Sequence, residues 1–410
     1  MPSHQTLEHP RTDVESLRRM CAEHSRGTVV APVESALPEW IHEDGRLRNT
    51  RTDYFSIGLY AQADGRTILL MQQERKAIIM LLVGTIDGRR SVLLSLRTEP
   101  GLIGLTNFST TIQSTPSNYL RKHGGKSTPF IEIAMEPERH GQVLYDAFHH
   151  DWGEFYLGKT KRFLVVELAS PVEAPAGLRW VPLASAKALL VEDHLVTTDL
   201  RVCLLHLIER PRRGSTARDT ASDAASDAAD SALDSASDAA DSAALRSLDV
   251  LPGVADDRGT TIRSFETRTT TREVERWVQP LLVPQGSLRI RLPFAQTASG
   301  RFYAIERRSQ PGLRGAHLWF PADHSSAAAT RGRIARSVTT SAEGGRFWRY
   351  EVVIELVELD DLRHIAGSSG GSACWVSEEN LACIVGHPLE SSLELRVAWS
   401  LVYGGALDAP

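Results

Sequence analysis

The chain alternates short apolar runs with polar turns. YFSIGLYAQ (54–62) and TILLMQQ (67–73), separated by the turn Ala63-Asp64-Gly65-Arg66, predict a β-hairpin. AIIMLLVGTI (77–86), an Asp87-Gly88 turn and SVLLSLR (91–97) predict a second one. The run 77–86 is the longest apolar stretch; it is too short to span a bilayer and reads as a buried strand. Pro137 predicts a helix start, with a helix running to about His150, and ASAKALLVE (184–192) and DLRVCLLHL (199–207) predict two more. Strands and helices in this mixture predict an α+β fold, a mixed sheet with flanking helices.

The pattern occurs twice. The first half ends in an apolar strand, a loop, a Trp-bearing strand, a short helix and a final amphipathic helix, and the second half ends in the same order. Trp180 and Trp375 correspond, as do Asp199-Leu200-Arg201-Val202 and Glu394-Leu395-Arg396-Val397. Earlier, Glu99-Pro100-Gly101 is echoed by Gln310-Pro311-Gly312. Between the copies, residues 214–246 are almost entirely Ala, Ser and Asp, a composition that cannot bury a core and predicts a low-complexity tether, disordered or partly helical. The expected organisation is an N-terminal helical extension (1–34), a first module (35–213), the linker (214–246) and a diverged second module (247–410).

Charge and composition narrow the function classes. The tether carries seven Asp against two Arg and accounts for the whole formal net charge of −5, so the remainder is neutral and offers no electrostatic footprint for nucleic acid or an acidic membrane. The N-terminal residues lack the apolar core of a secretory signal, so a cytoplasmic location is expected. Cys21, Cys203, Cys374 and Cys383 form no CxxC pair and read as buried, reduced thiols.

Several motifs fail on inspection. GGKS (124–127) imitates the end of a phosphate-binding loop, but Leu120 stands where its first glycine belongs. GSSGGS (367–372) reads as a hairpin loop, and no GxSxG nucleophile elbow occurs. His140, His149, His150 and Asp151 lack the spacing of a zinc helix, and His206 reads as a packed or capping residue. Trp40, Trp180, Trp319 and Trp375 read as core. No metal site is expected.

The stretch LRTEPGLIGLTNFSTTIQSTPSNYLRKHGG (96–125) gathers an unusual number of hydrogen-bonding side chains, as a surface loop or a polar pocket would. Its Glu99-Pro100-Gly101 turn followed by STTIQSTPSNYLRKHGG resembles the signature of the NDP-hexose 2,3-dehydratases. Lys159, Lys161 and Arg162 before FLVVEL, the segment LRWVPL, and DHLVTTDLRVCLL extend the resemblance. The similarity covers about 35–210, and 250–404 only through the repeat.

The resemblance implies two tandem Nudix-like modules per subunit, a homodimer, and removal of water from a dTDP-4-keto-6-deoxyhexose. The 3,4-diketo-2,6-dideoxy product is unstable and implies a downstream 3-ketoreductase. No cofactor is implied, and the absence of a GX5EX7REUXEE pattern disfavours a Nudix hydrolase. A non-catalytic nucleotide-sugar-binding protein is the alternative from another class.

By side-chain chemistry and motif position, Glu99 and His123 are the candidate bases and Tyr119 the candidate acid or donor to the leaving hydroxyl. Gln113, Ser117 and Asn118 suit sugar hydroxyls. Arg121 or Lys122 suits the enolate or the diphosphate, and Lys159, Lys161 and Arg162 add fixed positive charge for the diphosphate. Alternation along a strand places Lys159 and Lys161 on one face. The second copy has Gln310 in place of Glu99 and lacks the SNY core, so one competent pocket per subunit is expected, in the first copy. Arg307, Arg308 and Arg314 are candidates for a role between the modules.

Overall fold

A computed structural model describes residues 14–33, 37, 39–51, 54–122, 125–207, 246–248, 254–272, 274–313, 316–322, 332–360 and 373–407. The expected tether, the GSSGGS loop, His123 and Arg314 fall outside the described residues, apart from Arg246. The first half carries β1 (Val29–Pro32), β2 (Trp40–Glu43), β3 (Arg46–Asn49), β4 (Ser56–Ala61), β5 (Thr67–Gln72), β6 (Ala77–Ile86), β7 (Arg89–Thr98), β8 (Thr106–Ser109), β9 (Ile112–Ser114), β10 (Gly141–His150), β11 (Thr160–Leu168) and β12 (Leu178–Pro182). The second carries β13 (Arg246–Leu248), β14 (Thr261–Arg268), β15 (Arg276–Val283), β16 (Ser287–Thr297), β17 (Gly300–Arg308), β18 (Leu318–Pro321), β19 (Arg333–Ser341), β20 (Glu351–Glu358) and β21 (Ala373–Ser377).

Two mixed sheets form on one plan. In the first, the order is β10-β11-β6-β7-β12, with β8 on β7 and β9 on β6; in the second it is β19-β20-β16-β17-β18, with β21 also on β17. Each contains one parallel pair, β6 with β11 and β16 with β20, and each edge pair, β10 with β11 and β19 with β20, carries a bulge. The apolar run of β6 is buried on both faces, as a central strand must be. Its Ile79, Leu81 and Val83 enter the large core, while Ile78, Met80 and Leu82 enter a smaller one on the opposite face. The turn into β7 places Asp87 and Gly88 at φ 48° and 73°, the left-handed pair a two-residue hairpin needs.

The halves interlock. The large core contains Leu81 and Val165 of the first half and Leu292 and Ile354 of the second. Strand β1, in the expected N-terminal extension, pairs with β14 of the second half, and β13 pairs with β4 of the first. The Gly101 and Gly312 turns are packed reciprocally: a Cβ on Gly101 would meet the Phe347 carbonyl oxygen at 1.8 Å, and one on Gly312 the Tyr156 carbonyl oxygen at 1.9 Å.

Four expectations need correction. Residues 137–150 are a single 3-10 turn, Pro137–Arg139, followed by β10 rather than a helix. Gly141 disfavours a helix, the β-formers Val143, Tyr145 and Phe148 favour the edge strand, and pairing with β11 supplies the hydrogen bonds a helix would have made internally. The helices Thr198–Leu205 and Leu393–Tyr403 are not amphipathic: they lie against each other, and Asp199, Arg201, Glu394 and Arg396 are buried with the apolar residues. Cys21 and Cys203 are buried free thiols, but Cys374 is half-buried and Cys383 exposed. Trp40 is buried, whereas Trp180, Trp319 and Trp375 are only half-buried.

Candidate functional site

Glu99 follows β7 at the turn that Gly101 closes with φ 93°. Its carboxylate accepts from Arg97 Nε at 2.6 Å and lies 3.4 Å from Arg272 Nη1 of the second half. Gly344, also of the second half, leaves the room it occupies: a Cβ there would meet Glu99 at 2.7 Å.

Past β9 the chain turns at Thr115 into the short helix Pro116–Tyr119, where proline suits the first position. Ser117 and Asn118 face a cleft of about 420 Å3, and Lys122 borders it. Ser117 is 1% exposed and its buried hydroxyl has no partner among the described residues, a costly state for a donor unless a ligand or water satisfies it. Tyr119 turns the other way, onto the smaller core of Ile78 and Met80, and burial raises its phenol pKa. Gln113 does not line the cleft and accepts from Ser109 Oγ at 2.9 Å. Arg121 is exposed at φ 55° and donates to the Gly125 carbonyl.

The remaining walls come from outside the expected motif. Trp40, Arg51 and Tyr54 supply one side, with Arg51 paired to Glu39 at 2.8 Å. Arg272, Arg276, Trp277 and Gln279 of the second half supply the other. Trp277 Nε1 donates to Gln279 Oε1 at 2.8 Å, and Gln279 Nε2 donates to the Gly345 carbonyl at 2.7 Å, fixing the indole against its own strand.

Lys159 and Lys161 share one face, as alternation predicts, but neither borders the cleft. They are buried in an ion cluster that joins the halves. Lys159 Nζ lies 2.9 Å from Asp151 and 2.7 Å from Glu343; Lys161 Nζ lies 2.9 Å from Asp151 and 3.0 Å from Asp199. Burial alone would raise every carboxyl here, yet Lys159 and Lys161 hold Glu343 well below the usual range and Asp151 below it, whereas burial prevails at Asp199 and pushes it up to about 6. Arg162 points away, to Asp146 and the Ala134 carbonyl.

From the cluster a path of contacts returns to the cleft. Arg346 lies near Glu343, which helps hold its guanidinium charged, and sits 4.6 Å over the ring of the cleft residue Tyr54. Arg307 and Arg308 do not cross between halves: they contact the His317 carbonyl and Glu306.

Among the described residues no group of three or more His, Cys, Asp or Glu side chains is placed to hold a metal, and His149 and His150 sit at the end of an edge strand. No helix of the described residues is long and apolar enough to cross a membrane. His206 is packed, its ring stacked on Tyr145 at 3.5 Å.

Of the residues expected from the sequence, Ser117, Asn118 and Lys122 line the cleft, and Glu99 stands off it against Arg272. The sequence singled out none of the lining residues Tyr54, Arg272, Arg276 and Trp277, and read Trp40 only as core; no local motif marks them, because they meet only once the halves are assembled.

Residues 17–207 match the family model described as NDP-hexose 2,3-dehydratase. The chain is 27% identical over 288 residues to a dTDP-4-dehydro-6-deoxy-alpha-D-glucopyranose 2,3-dehydratase of Streptomyces violaceoruber, covering 65% of each chain. It is 30% identical to the protein of that description from Saccharopolyspora spinosa, covering 40% of this chain and 33% of that one. With the one from Amycolatopsis orientalis the identity is 28%, covering 42% and 37%. The match thus spans less than two thirds of the length of each relative. Among solved structures, the complex between the C-terminal domain of mouse MUTYH and human PCNA aligns at 21% identity and a TM-score of 0.20, over 36% of this chain and 97% of that one, too slight a likeness to carry an argument.

Proposed function

We propose that this chain, whose residues 17–207 belong to the NDP-hexose 2,3-dehydratase family, removes water from a dTDP-4-keto-6-deoxyhexose in deoxysugar biosynthesis. The observation that carries the reading is the placement of Ser117 and Asn118, from the matched segment, in a cleft walled by indoles and cations. The repeated strand order supports reading the halves as tandem Nudix-like modules, and the related proteins' names support the sugar nucleotide. A cytoplasmic homodimer that hands its product to a 3-ketoreductase completes the proposal.

The chemistry balances without a redox partner. The C4 ketone acidifies the C3 hydrogen, a base takes that proton, and the electron pair passes through the enolate to form the C2–C3 double bond as the C2 hydroxyl leaves with a proton. The resulting enol takes a proton at C2, giving the 3,4-diketone; the net change is loss of one water. Glu99 and His123 are the proposed bases, Glu99 standing off the cleft lining against Arg97 and Arg272, and Ser117 and Asn118 are the proposed partners of sugar hydroxyls, with Gln113 outside the lining beside Ser109. Cations bordering the cleft, Lys122 and Arg272, are placed to stabilise an enolate or diphosphate oxygen. Lys159 and Lys161 act at a distance, by holding the two halves in register. Tyr119 packs on the apolar cluster and does not line the cleft, so acting as the acid would require its side chain to turn toward the cleft.

Incubation with dTDP-4-keto-6-deoxyglucose in deuterated water, with a 3-ketoreductase and NADPH to trap the diketone, tests the reading. A 2-deoxy product deuterated at C2 is expected. Retained substrate binding with no trapped product would replace it with a non-catalytic nucleotide-sugar-binding protein.

A further inference from the structure

The second half contributes to the cleft in a way that a second, degenerate copy of the first would not. Strand β15 brings Arg276, Trp277 and Gln279 to the wall facing Trp40, and Arg272 reaches the same space from the preceding loop. All four lie beyond residue 207, where the family match ends. Among the described residues the cleft thus combines two indoles with four cations, Arg51, Lys122, Arg272 and Arg276, and one bordering carboxylate, Glu39. Glu39 pairs with Arg51, and Glu266 and Glu99 stand behind Arg276 and Arg272.

Aromatic faces bind flat heterocycles and guanidinium groups bind phosphate oxygens in forked geometry. The buried Ser117 hydroxyl, which has no partner among the described residues, adds an independent sign that a polar ligand completes this wall. The volume of about 420 Å3 lies within the range of small-ligand clefts.

From this arrangement we infer that the second half supplies the nucleoside-diphosphate end of the site: Trp277 takes the base by stacking, and Arg272 and Arg276 take the diphosphate. The inference rests on the dehydratase reading for the identity of the nucleotide, and makes the first half's site incomplete without residues beyond 207. Specificity for the activating nucleotide would then be set by β15, while the sugar is read by Ser117 and Asn118.

Calorimetry on the full-length protein with thymidine diphosphate, inorganic pyrophosphate and thymidine separately tests it. Trp277→Leu is expected to weaken thymidine diphosphate and thymidine by about tenfold or more while sparing pyrophosphate, and Trp277→Phe, which keeps a ring, to recover most of the loss. Arg276→Gln, at an exposed position, is expected to weaken thymidine diphosphate and pyrophosphate but not thymidine, and to flatten the fall of affinity with salt. Thymidine diphosphate binding by the wild type that is indifferent to these substitutions would overturn the assignment and leave the dehydratase reading standing. No thymidine diphosphate binding by the wild type would overturn both.

Discussion

At the scale of single residues, two substitutions separate chemistry from packing. If Glu99 is the base, Glu99→Gln lowers kcat by about 100-fold or more with its neighbour Arg97 still in place. Tyr119→Phe, whose ring packs on Ile78 and Met80, is expected to leave kcat within a few-fold of wild type and to alter stability instead. Single-turnover kinetics with trapped product measures both, and a reversed pattern would move the catalytic role to the phenol.

Protonation gives a second prediction at this scale. Burial, with Arg396 beside it, lowers His150 to about 4 and also holds the fully buried His149 well below the ordinary value. The unfolded chain therefore binds protons near pH 6.5 that the folded chain refuses, so stability is highest above that pH and falls as pH drops from about 6.5 to 4. His150 alone accounts for a loss on the order of 3 kcal/mol. Asp199 works the other way: its raised pKa lets the folded state take a proton first between about 6 and 3.8, offsetting part of the loss. Thermal melts across this range should show a shallower fall for His150→Asn than for wild type; parallel curves would exclude His150 as the source.

At the scale of elements, the apolar pattern was a good guide where a strand is buried on both faces and a poor one at edges. The run 77–86 could be nothing but a central strand, and the Asp87-Gly88 turn set its hairpin. The segment 141–150 is an edge strand, half-exposed and bulged after Val143, so its alternation is broken and Pro137 gave a helix signal that only a 3-10 turn honours. Lys159 and Lys161 were correctly placed on one face, but nothing local said that Asp151, Asp199 and Glu343 would close over them. The motif around Ser117 was legible because its residues are contiguous; Arg272 and Trp277 were not, because their role is created by packing.

Strand β10 also yields a direct test. A Cβ at Gly141 would meet the Glu167 carbonyl oxygen at 2.2 Å, and the contact is backbone, which cannot swing aside. Gly141→Ala is therefore expected to destabilise the fold by about 1–3 kcal/mol, seen as a lower denaturant midpoint at an unchanged slope. An unchanged midpoint would mean the edge strand can drift outward at no cost.

At the scale of the whole molecule, the two halves behave as parts of one core. The helices Thr198–Leu205 and Leu393–Tyr403 bury charged residues against each other: Arg201 donates to Ser400 Oγ at 3.2 Å, and Arg396 donates to the His150 carbonyl at 2.8 Å. Glu343 closes the Lys159–Lys161 cluster from across the boundary, and removing one partner of a buried ion pair typically costs several kcal/mol because the others remain charged in a dry interior. A fragment ending at residue 213 would keep the whole family-matched segment yet lose Glu343, the C-terminal helix, the β13 partner of β4 and the β14 partner of β1. We expect that fragment to be insoluble or molten when made alone. Made together with a second fragment, 246–410, it should assemble one to one into a species of native circular dichroism and full-length elution volume. The buried interface, and not covalent continuity through 214–245, then holds the molecule together. A stable, catalytically competent 1–213 fragment would instead place the whole site in the first half and remove the second half from both stability and function.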